Sequence, residues 1–144
     1  MRGEKMFYKK MEVVLGKNIK EIEGNFHLKL INEPYMRFTF ESIGEDEKYR
    51  FFAMAHYYEQ NGDLVADPDI EFAVHKKTGD LIPMGIMQMG MYKRYFYPDT
   101  MKINMAGSKS LMSFLNMWSG NLVSQGFRPK DKVSMGKKLK HKKV

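Results

Sequence analysis

His56-Tyr57-Tyr58-Glu59-Gln60-Asn61-Gly62-Asp63-Leu64-Val65-Ala66-Asp67-Pro68-Asp69-Ile70-Glu71-Phe72 is the stretch on which the architecture turns. Asn61-Gly62 is the preferred dipeptide of a type I′ hairpin, because both central residues of that turn need positive φ. A two-residue loop sets Gln60 against Asp63 and fixes each pair behind it. Continued without interruption, the register pairs His56 with Asp67, Met54 with Asp69, Ala53 with Ile70, Phe51 with Phe72 and Tyr49 with Val74. It thus gathers Ala53, Phe51 and Tyr49 on one apolar face. Pro68 has no N–H for a ladder, so it implies an edge or a bulge.

Outward from this hairpin the periodicity changes twice. Gly3 to Glu23 carries Phe7, Met11, Val14, Leu15, Ile19 and Ile22 at helical spacing, and Gly16 allows two shorter helices in place of one. Alternation then begins. Phe26, Leu28 and Leu30 share a face, and Met36, Phe38 and Phe40 share another opposite Arg37, Thr39 and Glu41. Lys77-Thr78-Gly79-Asp80 is a turn. Leu81 to Met84 and Met87 to Tyr97 complete the sheet around a bend at Pro83 and Gly85, with Met87, Met89 and Met91 on one side. Residues 98–107 are expected as loop. Ser108 caps a second helix running to about Gln125, with Gly126 as its stop. The expected class is α+β: N-terminal helix, five- or six-strand antiparallel meander sheet, C-terminal helix and basic tail.

Charge is unevenly placed. The chain of 144 residues has 24 Lys+Arg, 17 Asp+Glu and a net charge of +7. Residues 1–127 hold 16 of each sign, so the whole excess lies in residues 128–144. The expected division is a single domain over 1–127 and a basic, flexible tail over 128–144. With no cysteine, disulfides, thiolate metal sites and Cys nucleophiles are excluded. The longest apolar run, Phe51 to Ala55, is far short of the roughly 20 residues that span a bilayer. The start MRGEKMFYKK lacks the apolar stretch of a signal peptide. A soluble cytoplasmic protein with no membrane association is expected.

Four features carry candidate chemistry. Asp67, Asp69 and Glu71 alternate on one strand, with His56 across from Asp67; such a set suits a divalent metal in a hydrolase. Alternating charges are equally the ordinary wet face of an antiparallel sheet, and Ala73 stands where a nuclease pattern wants Lys. No Gly-x-Ser-x-Gly elbow and no phosphate-binding Gly loop occurs, so no catalytic residue and no cofactor is assigned. Lys93 and Arg94, interleaved with Tyr92, Tyr95, Phe96 and Tyr97, suit nucleic acid. Arg128, Lys130, Lys132, Lys137, Lys138, Lys140, Lys142 and Lys143 add charge attractive to any polyanion; the simpler reading keeps Tyr95 and Tyr97 inward and Arg94 in solvent. Met84, Met87, Met89 and Met91 either fill a core, the simpler expectation, or form an adaptable partner surface.

His56 to Leu64 followed by Asp67 to Phe72 resembles the signature of a small uncharacterised domain family associated with conjugative elements, plasmids and phages of bacteria. Tyr35-Met36, Pro83, Gln88 to Tyr92, Phe114-x-x-x-Trp118, Asn121 and Gln125-Gly126-Phe127 fit the same pattern, so the resemblance spans Phe26 to Phe127. The Met-rich strand departs from it, since more polar residues are usual there. The resemblance implies a setting and no mechanism: an accessory protein of a mobile element in a bacterial cytoplasm, with His56, Tyr58, Glu59, Asn61, Asp63, Asp67, Asp69 and Glu71 as its motif surface. Three functions are carried forward. The first is a non-enzymatic module binding nucleic acid or a nucleic-acid-bound host complex. The second is an inhibitor of a host defence system, of anti-CRISPR or anti-restriction type, that binds a host protein directly. The third is a metal-dependent hydrolase using the hairpin carboxylates.

Overall fold

The computed structural model describes residues 3–133. Helix α1, Glu4–Leu15, buries Phe7, Tyr8, Met11, Val14 and Leu15, one stripe at helical spacing. Gly16 ends it in the left-handed region at φ 77, and its N–H returns to the Glu12 carbonyl. The second piece of the expected helix is a 3₁₀ turn at Ile19–Glu21, with Ile19 and Ile22 buried.

Six strands follow as an antiparallel meander in chain order: β1 His27–Leu30, β2 Arg37–Glu45, β3 Tyr49–Gln60, β4 Asp63–His75, β5 Leu81–Gln88 and β6 Met91–Arg94. Asn61 and Gly62 take positive φ, 53 and 85, as a type I′ turn requires. The expected pairing holds from Gln60–Asp63 to Tyr57–Ala66. It then slips, because Asp67 and Pro68 together stand opposite His56. This bulge replaces the expected pairs: Ala55 meets Asp69, Met54 meets Ile70, Ala53 meets Glu71, Phe52 meets Phe72 and Tyr49 meets His75. A slip of one residue exchanges faces. Phe52, Met54 and His56 therefore point into the core with Ile70 and Phe72, whereas Tyr49, Phe51 and Ala53 lie on the other side.

A second correction concerns the Met-rich segment. Met89 and Gly90 have φ 53 and 77 and form another two-residue turn, so β5 and β6 are a hairpin. Met89 sits in that turn and not on a strand face. The bend at Pro83–Gly85 is a bulge: Glu71 pairs with Gly85 and Phe72 with Pro83. A small separate sheet joins β7, Phe96–Tyr97, to β8, Lys102–Ile103, within the expected loop. Helix α2, Met105–Ser124, starts earlier than expected. Asn104 caps it by accepting from the Gly107 N–H at 3.0 Å, whereas Ser108 is buried and donates to the Pro83 carbonyl at 3.0 Å. Gly107 is obligatory there, since a Cβ would run into the Tyr95 ring.

Both helices lie on one face of the sheet. Between them sits a cluster of Phe7, Phe38, Phe40, Phe52 and Phe72, all fully buried. Phe40–Phe52 and Phe52–Phe72 ring centroids are 5.4 and 5.7 Å apart. Each such side chain contributes about 2–3 kcal/mol by leaving water. The chain stays packed beyond Phe127. Pro129–Asp131 forms a 3₁₀ turn, the Ile31 N–H bonds the Asp131 carbonyl, the Val133 N–H bonds the Lys29 carbonyl, and Val133 is buried. Arg128 to Val133 thus close the outer edge of β1.

Candidate functional site

The proposed metal quartet does not assemble. His56 lies under the sheet, its ring 5.8 Å from Phe38, 5.2 Å from Trp118 and 6.2 Å from Phe127. Its Nδ1 is 3.2 Å from the Arg37 carbonyl and donates to it. Burial pushes its pKa below the usual range, against the pull of the backbone carbonyls of Arg37 and Met36. Asp69 and Glu71 occupy the opposite face, beside Ala55 and Ala53. Asp67 is spent on the neighbouring hairpin, accepting from the Met89 N–H at 3.2 Å. Among the described residues no group of three or more His, Asp or Glu side chains is placed to hold a metal ion.

What the outer face does hold is a charged row over a floor of small residues. Glu41, Ala53, Glu71 and Gly85 are successive ladder partners, and beside them run Thr39, Ala55, Asp69 and Met87. Burial, then Glu71, then Glu41 raise the Asp69 pKa to about 6. Burial and the hydrogen bond to Glu71 push the Tyr92 hydroxyl up to about 12. Like charges gathered this way repel phosphate, so this face is a poor platform for nucleic acid.

Two grooves flank the sheet. One, of about 410 Å³, joins Tyr35 and Met36 to Tyr57, Tyr58, Glu59 and Leu64 beside the turn of the β3–β4 hairpin, whose tip exposes Asn61, Gly62 and Asp63. The motif surface of the resemblance thus disperses: Tyr58 and Glu59 line this groove, Asn61 and Asp63 form the tip, Asp67 meets the Met89 N–H, Asp69 and Glu71 stand in the acidic row, and His56 is in the core. The other groove, of about 450 Å³, lies between the β5–β6 hairpin and the first half of α2, lined by Met89, Met91, Lys93, Tyr95, Ser110 and Phe114 among others. The core expectation for the methionines holds at Met84, which is 5% exposed, and fails at Met87, Met89 and Met91, which are 36%, 84% and 64% exposed. The Met89-Gly90 turn was the signal the sequence hid, because Met is an unusual residue at positive φ.

The basic candidates also separate. Arg94 reaches the Phe96 carbonyl at 3.1 Å and lies 4.9 Å over the Tyr97 ring. Lys93 faces the second groove. Tyr95 packs inward, but Tyr97 is 43% exposed where an inward ring was expected. Arg128 bonds the Phe127 carbonyl at 2.7 Å and closes the end of α2. Lys130 is 3.6 Å from Asp131, and Lys132 bridges to Leu30. Lys137, Lys138, Lys140, Lys142 and Lys143 lie outside the described residues. Residues 3–133 carry 18 basic and 17 acidic side chains, close to neutral.

Among the described residues no helix is long and apolar enough to cross a membrane. No curated protein matches the chain, and neither does any solved structure. Residues 9–128 match the family model described as Domain of unknown function (DUF6908), and the chain belongs to that family of uncharacterised domains.

Proposed function

We propose that this protein is a non-enzymatic binding module whose partner is another protein, held at the β5–β6 hairpin and the groove beside α2. The observation that carries the reading is the exposure of Met87, Met89 and Met91, joined on the same hairpin by Tyr92 at 46%. Long, flexible, polarizable side chains turned to solvent make a poor core and a good adaptable contact. The nucleic-acid alternative rests on the lysines beyond residue 133, since the sheet's outer face carries Glu41, Asp69 and Glu71. The likeness to domains of mobile elements makes a host protein the natural partner, as for an inhibitor of host defence.

The test is capture from a nuclease-treated bacterial lysate with the full chain and with the double variant Met89→Glu, Met91→Glu. A protein retained by the first and lost by the second supports the reading. Capture that is indifferent to both substitutions, or that vanishes with nuclease, overturns it.

A further inference from the structure

The two edges of the sheet are finished differently. At β1, Asp131 and Val133 bond the outward backbone groups of Ile31 and Lys29. At β6 no described residue does so. Met91 pairs with Gln88, Lys93 with Ile86, and the Tyr95 N–H bonds the Met84 carbonyl at 2.6 Å. In an antiparallel ladder the bonded residues alternate. Tyr92 and Arg94 therefore turn their N–H and C=O groups away from β5, and among the described residues no backbone group meets them. Bare edges of this kind are usually blunted or covered.

Side chains on either side of that edge differ in kind. Met91, Lys93 and Tyr95 face the groove against Ser110 and Phe114 of α2. Tyr92 and Arg94 lie on the other face, where Tyr92 bonds Glu71 and Arg94 covers Tyr97. Residues 81–127 hold Lys93, Arg94, Lys102 and Lys109 against the acid Asp99, and the acids that reach the hairpin from β4, Glu71 and Asp67, are engaged by the Tyr92 hydroxyl and the Met89 N–H. Among the described residues none of these four bases is in an ion pair.

We infer that the β6 edge takes an extended segment of the partner as a seventh strand, with apolar side chains entering the groove and Asp or Glu meeting Lys93 and Arg94. This rests on the protein-binding reading above and names how the partner is held. Backbone bonds to Tyr92 and Arg94 supply affinity, and alternate side chains supply selection. A second copy of the chain fits less well. The antiparallel register in which Tyr92 and Arg94 of both copies bond each other sets Lys93 directly opposite Lys93, and facing like charges destabilise a strand pair.

The experiment selects a random dodecapeptide display library on the full chain. Enriched peptides are then measured by fluorescence anisotropy against the parent, Tyr92→Pro and Lys93→Glu. Proline at 92 deletes an outward N–H and leaves the β5 ladder intact. Enriched sequences are expected to carry apolar residues at alternate positions, with one acid among them on the groove side for Lys93 and another on the opposite face for Arg94. Affinity is expected to fall about tenfold or more in each variant, and bound peptide to slow amide exchange at Tyr92 and Arg94. The exchange readout uses the parent chain, so it decides even where a variant misfolds. Peptides that bind but protect the Tyr35–Leu64 groove, or a dimer whose contacts run through β6, overturn strand addition and leave protein binding standing. No enrichment, together with lysate capture indifferent to Met89→Glu, Met91→Glu, overturns both.

Discussion

Tyr92 donates to Glu71 at 3.0 Å across Gly85, spanning one whole strand of the sheet. Gly85 makes the crossing possible, since a Cβ there would stand 2.8 Å from both the Tyr92 hydroxyl and the Lys93 carbonyl. Tyr92→Phe is expected to cost about 0.5–1 kcal/mol, as one partly exposed hydrogen bond should. Gly85→Ala should cost more, about 1–3 kcal/mol, because the backbone must give way. Urea unfolding of both variants checks the order; equal costs would refute the crowding argument.

Asp69 titrates near pH 6 in the fold against an ordinary value of 3.8. The folded state thus holds this proton more tightly than the unfolded chain, so the contribution is fully present below about pH 3.8 and is lost as pH rises through about 6. Asp69→Asn should therefore stabilise the protein at pH 7.5, by about 1 kcal/mol after allowing for solvent screening. The gain should vanish near pH 4. Denaturation series across that range provide the check.

His56 works in the opposite sense. Its folded pKa is depressed below 6.5 by burial, so its contribution is present above that value and lost as pH falls. His56→Gln stays neutral and can still donate to the Arg37 carbonyl. It should flatten the acid side of the stability curve. Trp118, the only tryptophan, lies 5.2 Å from the imidazole and reports the change by fluorescence.

Met89 occupies positive φ without a residue suited to it. Met89→Asn recreates the Asn-Gly turn of the first hairpin and should raise stability by about 0.5–1 kcal/mol. The same change should weaken partner capture, because it removes the most exposed methionine among the described residues, at 84%. A thermal melt and a pull-down on one sample test both halves.

Cutting the chain after Val133 should leave stability unchanged, whereas cutting after Phe127 should cost about 2–3 kcal/mol by uncovering the β1 edge and the Val133 site. Residues 1–133 should also show no salt-dependent DNA binding. The full length, with five further lysines from Lys137 to Lys143, should show a slope near four or five. Circular dichroism and filter binding at several salt concentrations are sufficient.

The strand count and class were legible because Asn61-Gly62 and the alternating aromatics obey short-range rules. The faces of the central hairpin were not. They depend on Asp67 and Pro68 sharing one partner, His56. Pro68 announces that a ladder is interrupted without saying which way the register slips. The Met89-Gly90 hairpin was illegible for a related reason: Gly90 alone signals a turn weakly, and only the ladder with β5 forces Met89 into it. Asn104 and Ser108 are near-equal caps in isolation, and the approach of Tyr95 to Gly107 decides between them. The metal quartet was a correct list of residue types on one segment, divided by a sheet whose thickness no spacing rule registers.

The closure of the β1 edge by Asp131 and Val133 gives the molecule a direction. Lys132 is fastened at one margin of the six-stranded sheet, and the bare strand is five strand spacings away, about 24 Å. The described residues therefore end at the margin opposite β6. One margin is closed by the chain's own backbone and the other is left open. The sheet is thus polar across its width: it can grow by strand addition from one side only.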